Sequence, residues 1–130
     1  MATELTIKVP NRVGQLAAIS TALGDAGVNI ATLAGSTLGS KGVVHIVVAD
    51  KDAARARRAL KKAKLRVAGD RKLIEVRLSD KPGTLARVAN RLGKGRVNLD
   101  SAYMIATGKK SSTIAFGVKD ARKAKKALGR

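Results

Sequence analysis

The sequence repeats itself, and this repeat constrains the possible folds more than any other feature. Residues 5–30 align without a gap on residues 74–99, and after the loss of one residue in a loop Asp52 recurs as Asp120. The identities in the gapless stretch are Gly14 with Gly83, Leu16 with Leu85, Ala17 with Ala86, Leu23 with Leu92, Gly24 with Gly93, Val28 with Val97, and Asn29 with Asn98. A chain of 130 residues with this internal match predicts two small copies of one unit.

Each copy has the pattern of a strand, a helix and then two more strands. Apolar and polar residues alternate over 5–9 and 74–78, as in strands with one buried face. Short turns lead into apolar residues at helical spacing, and these helices are expected to stop near Gly24 and Gly93. Further strands are predicted at residues 28–37, 43–49, 97–106 and 112–118, with hairpin turns at 39–42 and 108–110.

A second helix follows in each copy. Asp52 and Asp120 are placed to cap these helices, and the first of them has a narrow apolar stripe. That stripe consists of Ala53, Ala56, Leu60 and Ala63. Residues 65–67 are typical of a fourth strand, whereas the second copy stops where its own fourth strand should begin.

These patterns predict an α+β protein made of two βαββαβ repeats with antiparallel sheets, the second repeat lacking its last strand. The short segment 68–70 is the expected boundary, so that residues 1–68 form the first repeat and residues 69–130 the second. The missing strand favours repeats packed into one continuous or face-to-face sheet arrangement. Both aromatic residues, Tyr103 and Phe116, lie in the second repeat, so the core must be largely aliphatic.

Composition excludes several classes of protein. The chain has no cysteine, one histidine and nine scattered carboxylates, which argues against disulfides, a metal site or a bound cofactor. It has no apolar run long enough to cross a membrane, and the segment 1–4 lacks the layout of a signal peptide, so the expected location is the cytoplasm. His45 has no Ser, Cys or carboxylate nearby, and residues 111–113 are typical of a strand edge. We therefore expect no enzymatic activity.

A strand, then Asn/Asp-x-x-Gly-x-Leu-Ala opening a helix, then Val-Asn-Ile or Val-Asn-Leu, resembles the ACT domain, an amino-acid-sensing module with a ferredoxin-like fold. The motif stands at 11–17 with 27–30, and again at 80–86 with 96–99, so the resemblance covers nearly the whole chain twice. No catalytic domain is attached, and the chain is similar in this respect to stand-alone tandem ACT proteins. The resemblance implies a regulatory protein that binds an amino acid.

The motif has a physical reason. The first turn of a helix has unpaired N–H groups and a partial positive charge, which suit a carboxylate. Gly14 and Gly83 allow close approach to the backbone, and Asn11 or Asp80 can receive an ammonium group. The resemblance implies that the asparagines of the second motif reach into a site shared between two domains.

The predicted ligand-binding residues are therefore Asn11, Val13, Gly14, Gln15, Leu16, Asn29 and Ile30 in the first repeat, and Asp80, Pro82, Gly83, Thr84, Leu85, Asn98 and Leu99 in the second. The second set is favoured because Asp80 adds a charge and Pro82 stiffens the turn. The same residues have simpler roles open to them. The glycines could only make a turn, Asn11 and Asp80 could only cap helices, and the other asparagines could only close a loop.

Nucleic-acid binding is the main alternative, because the net charge is +18. Two groups of basic residues fall on the predicted second helices and would form solvent-facing surfaces. The candidate contacts are Arg55, Arg57, Arg58, Lys61 and Lys62 in the first repeat, and Arg122, Lys123 and Lys126 in the second. The predicted sheets offer almost no aromatic side chains for base stacking, so non-specific polyanion binding is the expected form. A ligand-free module for dimerisation or interaction is the third possibility.

The preferred hypothesis is a non-catalytic regulatory protein that binds a small amino acid at the helix N-termini, near the repeat or dimer interface. Binding would tighten that interface and be transmitted to a regulated enzyme that the sequence does not identify. We expect a homodimer.

Overall fold

Strands form wherever apolar and polar residues alternate, and helices form where apolar residues recur every three or four positions. The computed structural model describes residues 2–130. The strands are β1 (Ala2–Pro10), β2 (Thr32–Leu38), β3 (Lys41–Ala49), β4 (Arg66–Ser79), β5 (Ser101–Thr107) and β6 (Ser111–Gly117). The helices are α1 (Gln15–Asp25), α2 (Ala53–Lys62), α3 (Thr84–Lys94) and α4 (Ala121–Ala127), with a short 3-10 turn at Asp50–Asp52 before α2.

The first compact unit, Ala2–Asp70, has the strand order β2-β3-β1-β4 of a ferredoxin-like sheet. β3 pairs antiparallel with both β1 and β2. Strand and helix side chains meet in one aliphatic core. Its buried members are Leu5, Ile7, Ile19, Leu23, Val28, Ile46, Val48, Ala56 and Leu60. Burial of these side chains is the main force that holds α1 and α2 on the sheet.

The second compact unit, Arg71–Arg130, repeats this plan with three strands in the order β4-β6-β5, and β6 pairs antiparallel with both neighbours. Within residues 2–130 no strand follows α4. The buried core consists of Ile74, Val76, Leu78, Leu92, Ile114, Phe116, Val118, Ala124 and Leu128. The α+β class and the antiparallel sheets are confirmed.

The predicted start of β2 at residue 28 is wrong, because residues 27 and 28 complete the end of α1. Gly27 has a φ of +71°, its N–H donates to the Gly24 carbonyl, and the Val28 N–H donates to the Leu23 carbonyl. This is the Schellman arrangement, in which a left-handed residue satisfies the last carbonyls of the helix. Val28 is therefore a buried part of the helix end, and the strand begins only at Thr32.

Two other local predictions need correction. The first hairpin turn is the two residues Gly39 and Ser40, since β3 already begins at Lys41. Asp52 precedes α2 but makes no capping hydrogen bond, because its carboxylate accepts from the Arg55 guanidinium at 2.6 Å. The equivalent Asp120 does cap α4, accepting from the Lys123 N–H at 3.0 Å.

No loop separates the two units, because β4 runs without interruption from Arg66 to Ser79. Residues 68–70, expected from the sequence to hold the boundary, are part of this strand. The first unit uses the start of β4, where Val67 packs on its core, and the second unit uses the rest.

The Asp120 cap generates a stability prediction. Asp120→Ala should lower the free energy of unfolding by about 1 kcal/mol, because a helix N–H loses its acceptor. Asp120→Asn should retain nearly all the stability, since asparagine caps helices as well as aspartate. Urea unfolding followed by circular dichroism measures both. An equal loss in the two variants would show that the carboxylate charge matters and that the capping bond does not.

Candidate functional site

A glycine with a left-handed backbone stands immediately before the first helix of each unit. Gly14 precedes α1 with φ +92° and ψ 0°, and Gly83 precedes α3 with φ +85° and ψ −6°. In the second unit the Thr84 N–H donates to the Lys81 carbonyl at 3.3 Å, closing a turn with Pro82 and Gly83 in its middle. Proline followed by a positive-φ glycine is the signature of a type II turn. Gly83 is thus required by the turn itself, and Gly14 has a similar positive φ.

These bends leave backbone donors free at the start of α1. The helix has no side-chain cap. The first helical hydrogen bond is the one that the Ala18 N–H donates to the Gly14 carbonyl at 3.0 Å. The N–H groups of residues 15–17 therefore lack an acceptor within the helix. α3 likewise has no side-chain cap. The Thr84 N–H of α3 is already bound to the Lys81 carbonyl, so the N-terminus of α1 is the more open of the two to an anionic group.

A cleft of about 320 Å³ lies at the first bend. It is bounded by the end of β1, the first turn of α1 and the facing parts of β2 and β3. Its lining residues are Val9, Pro10, Asn11, Arg12, Gln15, Leu16, Leu33, Gly35, Ser36, Thr37, Gly42, Val43 and Val44. The volume is at the low end of the range for small-molecule sites in proteins.

Asn11 holds the rim of this cleft in place. Its side-chain Nδ2 donates to the Gly39 carbonyl at 3.0 Å, and its backbone N–H donates to the Ser40 carbonyl at 2.9 Å. Asn11 therefore does not cap α1 but ties the bend to the β2–β3 hairpin. With the amide nitrogen engaged, Oδ1 remains as an acceptor. Arg12 adds a cation to a lining that contains no carboxylate.

The structure brings some of the predicted ligand residues together and separates others. Asn11, Gln15 and Leu16 line the cleft beside Gly14, whereas the Val13 side chain points fully into solvent at 103% exposure. Asn29 and Ile30 follow the C-terminal end of α1, roughly 16 Å from its start for a helix of 11 residues. Ile30 packs on the core.

The equivalent residues of the second unit divide in the same way. Asp80 and Pro82 are exposed in the bend, and Thr84 bonds to the Lys81 carbonyl through its hydroxyl at 3.0 Å. Asn98 lies beyond the other end of α3, where its amide donates to the Asp100 carboxylate at 3.3 Å, and Leu99 packs on the core. Gly83 and Leu85 remain at the helix start, with Leu85 half-exposed like Leu16.

Sequence reasoning missed the part of the cleft that comes from β2 and β3. Leu33, Ser36 and Val43 reach it because antiparallel pairing brings distant segments together. Gly35 was the available signal, since a glycine inside a strand often marks a place where something approaches the backbone. A Cβ added there would make only ordinary contacts, 3.7 Å from the nearest side-chain atom.

The basic residues considered for nucleic-acid binding lie on α2 and α4 and are exposed. Arg55 is paired with Asp52, and Arg57 forms an ion pair with Asp70. The histidine considered for catalysis, His45, has its Nδ1 3.0 Å from the Thr6 hydroxyl. Across residues 2–130 the structure shows no cluster of three potential metal ligands.

None of the helices in the described part of the chain combines the length and the apolar character needed to span a membrane.

The first repeat matches a known protein family in sequence. Residues 3–64, from β1 to the end of α2, match the model of the ACT domain. The first repeat therefore matches the ACT domain family in sequence. No curated protein matches the chain in a sequence comparison. The ACT match covers Gly14, the cleft beside it and both strands that complete its lining.

Solved structures show the same fold over 98% of this chain. A protein from Bacteroides thetaiotaomicron is 20% identical with a TM-score of 0.84, and 85% of its chain is covered. The regulatory subunit of aspartate kinase from Thermus thermophilus, in its ligand-free form, is 19% identical with a TM-score of 0.72 and 89% coverage. The corresponding subunit from Thermus flavus is 16% identical with a TM-score of 0.70 and 90% coverage.

The backbone of the ACT bend generates a paired prediction on stability. Gly14→Ala should lower the free energy of unfolding by about 1–2 kcal/mol, because a side chain is strained at a φ of +92° even though the space around it is open. Gly24→Ala, inside α1 and also in open space, should raise it by about 0.5–1 kcal/mol.

Urea unfolding measures both variants against the unaltered protein. A Gly14→Ala variant as stable as the protein itself would mean that the bend relaxes freely, and the argument for a fixed backbone site would be wrong.

Proposed function

We propose that this protein is a non-catalytic regulatory module whose ACT domain binds a free amino acid in the cleft at Gly14. The single observation that carries the proposal is the uncapped first turn of α1 opening on that cleft. The two aspartate kinase chains named above are regulatory subunits, and the shared fold supports a regulatory role here.

The chemistry of the cleft suits a zwitterion. The ligand carboxylate would accept from the free N–H groups at residues 15–17 and pair with Arg12, which favours an anion at this end of the helix. The ammonium would donate to Asn11 Oδ1 and to the hydroxyls of Ser36 and Thr37. These acceptors are neutral, so the ammonium gains no ion pair and the carboxylate interactions dominate the affinity.

The ligand side chain would contact the apolar part of the lining, which is formed by Leu16, Leu33 and Val43. Leu16 is 50% exposed, and a bound aliphatic group would remove part of that surface from water. A small or aliphatic amino acid therefore fits the cleft best. We place the ligand at the first bend and not at the second. A cleft supplies more contacts to a ligand than the charge of Asp80 and the stiffness of Pro82 do.

Binding would act on a partner by fixing the bend and the edge of the sheet around it. β2 is the outer strand of the first unit, and nearly all of its residues are exposed, including Leu33 and Leu38. An unpaired strand edge with apolar side chains favours association with another chain. We therefore infer a homodimer that pairs along β2, and a regulated enzyme as the recipient of the signal.

The homodimer predicts a light-scattering mass of twice that of one chain at about 150 mM salt, where repulsion between basic chains is screened. Leu38→Lys should return a monomer, because it places a charge on an apolar side chain that is 88% exposed. Val13→Lys is the control, an equally exposed apolar residue outside β2, and should stay dimeric. A monomeric mass for the unaltered protein would contradict the homodimer without touching the ligand site.

The ligand site is tested by calorimetric titration of the chain with each of the twenty amino acids. One of them should bind, and Gly35→Val should weaken it by at least about tenfold, or 1.4 kcal/mol, because the new side chain occupies the cleft. The added Cβ meets nothing closer than 3.7 Å, so the fold should tolerate it.

Gly69→Val is the matched control, since Gly69 lies in β4 outside the lining and has open space around it. It should bind as the unaltered chain does. Failure of all twenty amino acids to bind, or equal binding by the Gly35→Val variant, would contradict the proposal.

A further inference from the structure

The protein has a net charge of +18, and Arg12 is the one charged residue in the described lining of the amino-acid cleft. The chain has 27 Lys and Arg against nine Asp and Glu. If every carboxylate paired with one cation, 18 cations would still lack an acidic partner. Both repeats share this excess, with 11 basic and four acidic residues in 1–68, and 16 and five in 69–130. A field of one sign over the whole chain attracts polyanions.

A groove of about 510 Å³ in the first unit concentrates this charge between α1 and α2. Its floor is made of four alanines, and its rim carries three cations and one carboxylate. The floor is Ala22, Ala26, Ala59 and Ala63, and the rim is Arg55, Arg58, Lys62 and Asp25. The small floor side chains leave the groove open between its charged walls, and the rim has a net charge of about +2.

The three cations lie on one face of α2, since residues separated by three, four and seven positions share a helix face. Arg55 and Lys62 are separated by roughly 10 Å along the helix axis. A nucleic-acid duplex carries about one negative charge per 1.7 Å of its axis, so a segment of this length presents several phosphates to the groove.

Arg55 is held in position, while the other two cations are available to a ligand. The Arg55 guanidinium donates to the Asp52 carboxylate at 2.6 Å and to the Gly27 carbonyl at 3.3 Å. Neither Arg58 nor Lys62 pairs with a carboxylate within residues 2–130. Asp52 therefore does not cap α2, contrary to the expectation from the sequence, but holds the Arg55 side chain in place at the rim of the groove.

We propose that the groove between α1 and α2 binds the phosphate backbone of a nucleic-acid duplex without reading its sequence. Both aromatic side chains, Tyr103 and Phe116, are buried in the second unit, so no aromatic side chain is exposed to stack on bases in the described chain. The exposed cations of α4, Arg122, Lys123, Lys125 and Lys126, repeat the arrangement. A duplex presents one charge per about 1.7 Å of its axis, about twice the density of an extended acidic peptide at roughly 3.3 Å per residue, so clustered cations favour nucleic acid over an acidic protein segment.

The test is fluorescence anisotropy of a labelled DNA duplex of mixed sequence, titrated with the full chain over a salt series from about 50 to 200 mM. The variant replaces Arg55, Arg58 and Lys62 with Gln, and should lose at least about tenfold in affinity. Its slope of log affinity against log salt should be smaller by about 2–3, at roughly 0.9 per lost phosphate contact.

The matched control removes the same charge elsewhere by replacing Lys94, Lys109 and Lys110, all exposed, with Gln. It should change affinity by less than about threefold, as expected from the overall field alone. Circular dichroism establishes that both variants are folded. Arg58→Lys alone should retain the salt slope, since it keeps the charge.

Two results would overturn the proposal. Equal weakening by both triple variants would mean that the duplex responds to net charge and not to the groove. Competition by polyglutamate as effective as that by unlabelled duplex at equal charge would assign the groove to acidic protein segments. Neither result bears on the amino-acid site, whose lining shares no residue with this groove.

Discussion

The positive φ of Gly14 is the constraint on which the candidate ligand site depends. It turns the chain from β1 into α1 with a glycine at the N-cap position, and glycine has no side chain to cap the helix. The free N–H groups lie beside the cleft, together with the half-exposed Leu16. A side-chain cap such as Ser or Asp before α1 would stabilise the helix by about 1 kcal/mol but would occupy the donors a ligand needs. The helix is therefore less stable than a capped one, but its first N–H groups remain available to an anion.

Much of the fold could be predicted because the same pattern occurs in both repeats, so each repeat supports the assignment made for the other. Alternation in β1 and β4, helical spacing in α1 and α3, and the turn glycines recur at matched positions, so chance similarity is a poor explanation. The end of α1 was misread because Val28 is apolar and next to a strand, and only the hydrogen bond from its N–H to Leu23 assigns it to the helix. The continuity of β4 was missed because Gly69 and Asp70 are residues that usually break strands.

The candidate site could be located but not completed. Asn11, Gly14 and Leu16 are marked by their place in the motif. Gly35 and Ser36 reach the same cleft only through strand pairing, which local sequence does not encode. Asn29 follows the C-terminal end of α1, roughly 16 Å from the bend, so its expected role in a site shared between two domains stays a prediction. Asp52 was misassigned for a different reason, since an arginine one turn later competes for its carboxylate.

The placement of the aromatic side chains has a spectroscopic consequence. Tyr103 and Phe116 both belong to the second unit, and the chain has no tryptophan. Intrinsic ultraviolet fluorescence therefore reports on β5 and its surroundings, while the unit that contains the cleft is optically silent. Any change in tyrosine emission on adding a ligand has to originate in the half of the molecule without that cleft. The emission of Tyr103 thus reports on the second repeat, and a ligand confined to the first repeat leaves it unchanged unless its effect extends beyond that unit.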